Sequence, residues 1–239
     1  MIKVKKIFKR FDSGQEVLKD VNLEVKSGEI LVILGESGSG KSVLLKHLIG
    51  VLKPDSGSIE IDGKDITKLS EKELLKLRQN MGYLFQEGAL YDFMTVHENV
   101  AFPLEEHTAL KSSAIDKKVR EMLKMVGLQE AAAKFPSELS GGMRKRAALA
   151  RSVIMGSKIL FCDEPTSGLD PIKSRDILDL IKNISRQFKC TTVVASHDIQ
   201  NSLRTADRLA MIHDGKIAIE GTPDEWRKSK DPLVKEFLA

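Results

Sequence analysis

Short apolar runs alternate with amphipathic stretches along this chain, the pattern of a largely parallel sheet interleaved with helices. Residues 29–34 (EILVIL), 158–163 (KILFCD) and 191–196 (TTVVAS) are almost continuously hydrophobic. Runs of that length without alternation read as buried strands. The N-terminal residues 1–7 instead alternate lysine with β-branched residues and predict a further strand. Between Gln86 and Gly156 strand runs disappear, and helical spacing replaces them over residues 115–126 and 144–155. This stretch reads as a helical insertion into an α/β body. Short strands return at residues 208–213 and 216–220, and a helix closes the chain around residues 233–238. Open sheets of this kind bind ligands beyond the carboxyl ends of their strands, which directs attention to the residues just after positions 34, 162 and 196.

The first of those positions opens Gly35-Glu36-Ser37-Gly38-Ser39-Gly40-Lys41-Ser42, which matches G-x-x-x-x-G-K-[ST]. With glycine at about 7% of residues, such a match arises by chance in roughly one chain of this size per hundred. Here a buried strand precedes it, and an apolar-periodic helix starting at Val43 follows, which is the context the motif requires. Its glycines let successive N–H groups curl inward toward the α- and β-phosphates, and the helix N-terminus adds partial positive charge. Lys41 is placed to reach the β- and γ-phosphates and Ser42 to ligate Mg²⁺. After the second strand, Asp163 can hold the metal's hydration shell, and the adjacent Glu164 can orient and deprotonate an attacking water.

Composition removes several other classes. Of 239 residues, 38 are Lys or Arg and 34 are Asp or Glu, a net charge of +4 with both signs interspersed, unlike a polybasic nucleic-acid binder. No apolar run approaches the roughly 20 residues of a membrane span, and the N-terminus lacks the layout of a secretory signal. Cys162 and Cys190 read as reduced core residues, which points to a reducing compartment.

With the P-loop in place, Leu139-Ser140-Gly141-Gly142-Met143 resembles the LSGGQ signature of ATP-binding-cassette (ABC) ATPases. Asp163-Glu164-Pro165-Thr166-Ser167-Gly168-Leu169-Asp170 is similar to their joined Walker-B and D-loop. Gln86 falls at the Q-loop, His197 at the switch histidine, and Phe11 where the family stacks an aromatic on adenine. The resemblance covers the whole chain. It implies a P-loop cassette with a mostly parallel core sheet, an antiparallel N-terminal β region and an inserted α-helical subdomain. The single ATPase domain would divide into a core of residues 1–86 and 157–239 and a helical part of residues 87–156. It further implies a head-to-tail homodimer in which Ser140, Gly141, Gly142 and Asp170 of one subunit meet ATP bound by the other. Gln86 is expected to join Ser42 and Asp163 at Mg²⁺, and His197 to hydrogen-bond the γ-phosphate. Met143 departs from the usual glutamine and loses any hydrogen bond from that position. Two-cassette translation or repair factors and catalytically dead cassettes do not fit a chain of this size with Lys41, Asp163, Glu164, Gln86 and His197 intact.

The stretch FQEGALYDFMTV after residue 84, then ENVAFPL, resembles the Mla/Mce-type lipid-transport ATPases. That resemblance implies phospholipid transport with an MlaE-like permease and an MCE-domain lipid carrier, and allows a small STAS-domain protein. It places the subunit at the cytoplasmic face of the inner membrane, with lipoproteins or small solutes as the alternative cargo. The basic run 144–146 reads as a solvated helix face, with a regulatory or partner contact as the other reading.

Overall fold

The computed structural model describes residues 1–12 and 14–238. Four strands, β1 (Ile2–Arg10), β2 (Glu16–Val25), β4 (Ser56–Ile61) and β5 (Lys64–Asp65), form an antiparallel sheet in the order β2-β1-β4-β5. Six more, β3 (Ile30–Leu34), β6 (Met81–Leu84), β7 (Ile159–Asp163), β8 (Thr191–Ser196), β9 (Arg208–His213) and β10 (Lys216–Gly221), form a second sheet in the order β10-β9-β3-β8-β7-β6. All neighbours in this sheet run parallel except the hairpin β9-β10.

Every residue of β3, β7 and β8 is buried, so both faces of the sheet are covered, which is why these strands read as unbroken apolar runs. Alternation still sorts their side chains. Leu31, Ile33, Phe161 and Val193 face a core shared with the antiparallel sheet and helix α1 (Lys41–Leu48), while Val32, Leu34, Leu160, Cys162 and Val194 face a core shared with the later helices. Those are α3 (Val96–His107), α4 (Ser112–Met125), α5 (Gly141–Val153) and α6 (Pro171–Phe188), with α2 (Glu71–Arg78) on the other side and α7 (Ile199–Thr205), α8 (Pro223–Lys228) and α9 (Pro232–Leu238) completing the chain. Cys162 and Cys190 are buried free thiols, and burial pushes Cys190 up to about 11.

Some boundaries differ from the sequence reading. The helix expected at 115–126 begins at Ser112, and the one expected at 144–155 begins at Gly141, where Ser140 caps it. The periodicity of buried residues marks where a helix touches the core, so it misses the exposed first residues of α4, while α5 starts on two glycines that carry no apolar signal. Helix α3 carries Pro103 in its interior and starts from a reciprocal Thr95–Glu98 cap. Among the described residues, the stretch from Gln86 to Gly156 holds helices and no strand.

Candidate functional site

Parallel register decides what converges. Leu34 pairs with Ser196 and Cys162 with Val194, while Leu84 lies beside Cys162, so the segments after β3, β6, β7 and β8 leave the sheet along one edge. Gly35 begins the first of these loops in a space that admits no side chain: a Cβ there would lie 2.6 Å from the Ile212 backbone oxygen. The loop closes through Gly40, whose φ of 103° is open to glycine alone, directly before α1. No side chain caps α1, so its first N–H groups remain available to an anion. Ser39 Oγ is likewise buried without a hydrogen-bond partner.

Lys41 opens the helix and is 5% exposed. Its Nζ donates to the carbonyls of Gly35 (2.8 Å) and Glu36 (2.9 Å) and lies 3.2 Å from Glu164 Oε1. Ser42 Oγ donates to Asp163 Oδ1 at 2.6 Å, and the Tyr83 hydroxyl donates to Oδ2 at 3.1 Å. His197 Nδ1 is 2.7 Å from Glu164 Oε2. Glu164 adopts φ 46°, a left-handed conformation that costs roughly 1–2 kcal/mol for a residue with a Cβ. Its N–H still finds the Ala195 carbonyl at 3.0 Å, and the turn sets its carboxylate between Lys41 and His197. Strain of this kind concentrates at functional positions. The oxygens of Ser42 and Asp163 form a hard donor set suited to Mg²⁺, which keeps several waters and takes few protein ligands.

Gln86 follows β6, and its Nε2 donates to Ser167 Oγ at 3.3 Å. Its backbone oxygen accepts from Lys145 Nζ, and Arg151 from the same helix donates to the Gly88 carbonyl at 3.0 Å. This corrects the reading of residues 144–146 as a solvated face. Arg144 is exposed, but Lys145 is 7% exposed and points back at the segment after β6. A three-residue basic run on a helix cannot occupy one face, because successive positions are about 100° apart. Burial holds the Lys145 ammonium below the ordinary lysine value, partly offset by Glu87, Glu164 and Asp163. Tyr83, Lys145 and Ser167 were not singled out as site residues by sequence reasoning. Their hydrogen bonds to Asp163 and Gln86 exist only through tertiary packing.

Lys41, Ser42, Gln86, Glu164, Ser167 and His197 border a cleft of about 590 Å³ that Phe11, Val17 and the glycine loop complete. Phe11 is 37% exposed, and Lys9 Nζ sits 5.7 Å from its ring centroid, which leaves aromatic surface for a planar ligand. Ser140, Gly141, Gly142 and Asp170 do not line this cleft. They gather elsewhere: Ser140 Oγ caps α5 at the Met143 N–H, Asp170 caps α6, and Leu169 and Lys173 lie against Gly141 and Gly142. The sequence-derived residues therefore fall into two separate patches of one chain. Beyond Gln86, an aromatic groove of about 710 Å³ includes Tyr83, Phe85, Tyr91 and Phe102.

The profile of the ABC transporter family matches residues 18–167. The chain is 45% identical over 239 residues, covering all of it and 90% of the relative, to the intermembrane phospholipid transport system ATP-binding protein MlaF of Haemophilus influenzae. It is 44% identical over 237 residues, 99% of its length, to the probable ribonucleotide transport ATP-binding protein mkl of Mycobacterium leprae, of which it spans 68%. It spans 66% of the mkl proteins of two other mycobacterial sources, just under two thirds. Among solved structures, a dimeric post-hydrolysis ATP-binding cassette bound to ADP and phosphate superposes with TM-score 0.86 at 34% identity, covering 93% of this chain and 99% of that one.

Proposed function

Because this chain belongs to the ABC transporter family, we propose that it energises phospholipid movement between two membranes as the ATP-binding subunit of a transporter. It binds and hydrolyses ATP. The observation that carries the reading is the convergence of Lys41, Ser42, Glu164 and His197 on one cleft, with Asp163 hydrogen-bonded to Ser42 behind it, together with near-complete coverage of a phospholipid-transport relative.

The loop from Gly35 through Val43 cradles the phosphates with backbone N–H groups, and Lys41 neutralises the β- and γ-oxygens. Phe11 stacks on the adenine. Ser42, Asp163 and Gln86 would hold Mg²⁺, which when bound would supply neutralisation of phosphate charge. Glu164 orients the attacking water and accepts its proton, within reach of His197, which turns to the γ-phosphate. Two copies pack head to tail, so that Ser140, Gly141 and Gly142 of one present a second helix N-terminus to the phosphate bound by the other, with Asp170 crossing the interface. The separation of the two patches within one chain supports this arrangement, since Ser140, Gly141, Gly142 and Asp170 do not reach the cleft of their own copy. Residues 87–156 form a helical subdomain against the core of residues 1–86 and 157–239.

No described helix is long and apolar enough to cross a membrane. From the likeness to the phospholipid-transport relative, we place the subunit peripherally, at the cytoplasmic face of an inner membrane, on an MlaE-like permease that works with an MCE-domain carrier, an arrangement that leaves room for a small STAS-domain protein. The relative described as a ribonucleotide transporter favours the second reading, the same ATPase serving another cargo. Affinity purification from detergent-solubilised native membranes, followed by mass spectrometry of proteins and lipids, separates the two. An MlaE-like permease with phospholipid supports the first, and a different permease overturns the cargo alone.

A further inference from the structure

Each oxygen of the Asp163 carboxylate is held by a different hydroxyl. Ser42 takes Oδ1 at 2.6 Å and Tyr83 takes Oδ2 at 3.1 Å. Ser42 is part of the phosphate loop, whereas Tyr83 comes from β6, paired directly with Phe161 of β7, and it is no part of any motif in the chain. The ring has two aromatic neighbours: its centroid is 4.5 Å from that of Phe85 and 6.5 Å from that of Phe161. A half-buried phenol clamped in this way presents its oxygen at one place, at little further entropic cost. We propose that Tyr83 is a positioning residue that aims the Asp163 carboxylate for the divalent ion, and that the Tyr83–Phe85 ring contact ties that aim to the Phe85–Gln86 segment. The inference rests on the reading of Asp163 as a holder of the metal.

A tyrosine hydroxyl is protonated at neutral pH, and here it points at a carboxylate oxygen, so it acts as a donor to Oδ2. Two effects on the carboxylate compete. A donor on Oδ2 draws charge from it and weakens it as a ligand, while fixing its orientation strengthens the site. Outer partners of metal ligands act mainly through orientation, and their loss lowers metal affinity by about 10- to 100-fold. For one neutral hydroxyl the low end of that range applies.

Tyr83→Phe removes the hydroxyl and keeps the ring contacts. Mn²⁺ binding to the ADP-loaded chain, read by electron paramagnetic resonance, is expected to weaken about tenfold. Affinity for ADP in the presence of a chelator is expected to stay within about twofold, because the phosphate loop is untouched. Steady-state hydrolysis should show a raised Mg²⁺ requirement with little change in KM for ATP. Unchanged Mn²⁺ affinity overturns the proposal. So does an equal loss of metal-free ADP binding, which would mean that the hydroxyl supports the whole cleft. Asp163→Asn is the reference: if it too leaves Mn²⁺ binding intact, the metal reading of Asp163 fails, and the role of Tyr83 with it.

Discussion

Lys145→Met tests what a buried ammonium does for the segment after β6. Methionine keeps the length and unbranched shape, so the change removes the charge and its N–H groups with little change in volume. Two terms then oppose one another. Loss of the charge-assisted bond to the Gln86 carbonyl costs about 1.5–3 kcal/mol. Release of a cation that is 7% exposed and lies within hydrogen-bond reach of no carboxylate returns a similar amount, since replacing buried charge by apolar volume is often neutral. Global stability should therefore stay within about 1 kcal/mol of wild type. The local consequence is different. The Gln86 carbonyl loses its donor beside Gly88 (φ 79°) and Ala89 (φ 50°), so this stretch opens more readily. If about 1.4 kcal/mol of the lost bond is felt when Gln86 must be in place, turnover falls about tenfold. Urea unfolding, amide exchange over residues 85–90 and kcat measure the three parts. A sign check in pH is also available. Burial lowers the folded-state Lys145 value, so between that value and the ordinary lysine value the unfolded chain binds more protons, and stability rises with pH. The difference between wild type and variant should move in favour of wild type as pH climbs through that window. A stability loss above about 3 kcal/mol with unchanged exchange and turnover would refute the reasoning, because the lysine would then be a purely structural anchor.

Other perturbations follow from the same geometry. Lys41→Ala should abolish phosphate release through loss of charge neutralisation, and near-normal hydrolysis would overturn the site assignment. Glu164→Gln should bind ATP yet accumulate as a closed dimer on size exclusion with MgATP; a monomer alone, where wild type dimerises transiently, would count against the sandwich. Gly35→Ala places a Cβ 2.6 Å from a backbone oxygen and should cost about 1–3 kcal/mol in urea unfolding, with weakened nucleotide binding. Phe161→Ala, at a fully buried position, should cost about 3–5 kcal/mol, and a loss below about 1 kcal/mol would mean that the core on that face of the sheet is less tightly packed than its burial indicates.

What could be read in the chain without coordinates was whatever the local sequence controls. The strands 191–196 and 208–213 have the same bounds in the structure, because continuous apolar runs between polar ends leave no other place for them. The phosphate loop was equally legible, since its conformation depends on glycines at fixed spacing and on the strand and helix that flank them. Strand β6 was not. It is four residues long with a glycine inside, and that glycine reads as a breaker until α5 is seen lying so close that a Cβ would be 2.4 Å from the Ser152 carbonyl. Helix α6 was missed although its buried positions, Ile177, Ile181 and Ile184, keep helical spacing. The acidic motif that precedes it is the stronger local signal.

The identity of Asp163 and Glu164 as candidates came from their place after a buried strand, and that of Gln86 and His197 from the family resemblance; their distances could come from neither. Four segments far apart in the chain meet because β3, β8, β7 and β6 lie side by side in parallel register, a non-local pairing that no window of sequence encodes. The same pairing puts a tyrosine hydroxyl on Asp163, and packing of α5 against β6 puts a lysine on the Gln86 carbonyl. The sequence by itself determined which chemical groups the protein has and the local turns that present them. Which oxygen each group touches was decided by tertiary structure, because hydrogen bonds between distant segments depend on how sheets and helices stack, and that is settled only when the whole core is buried at once.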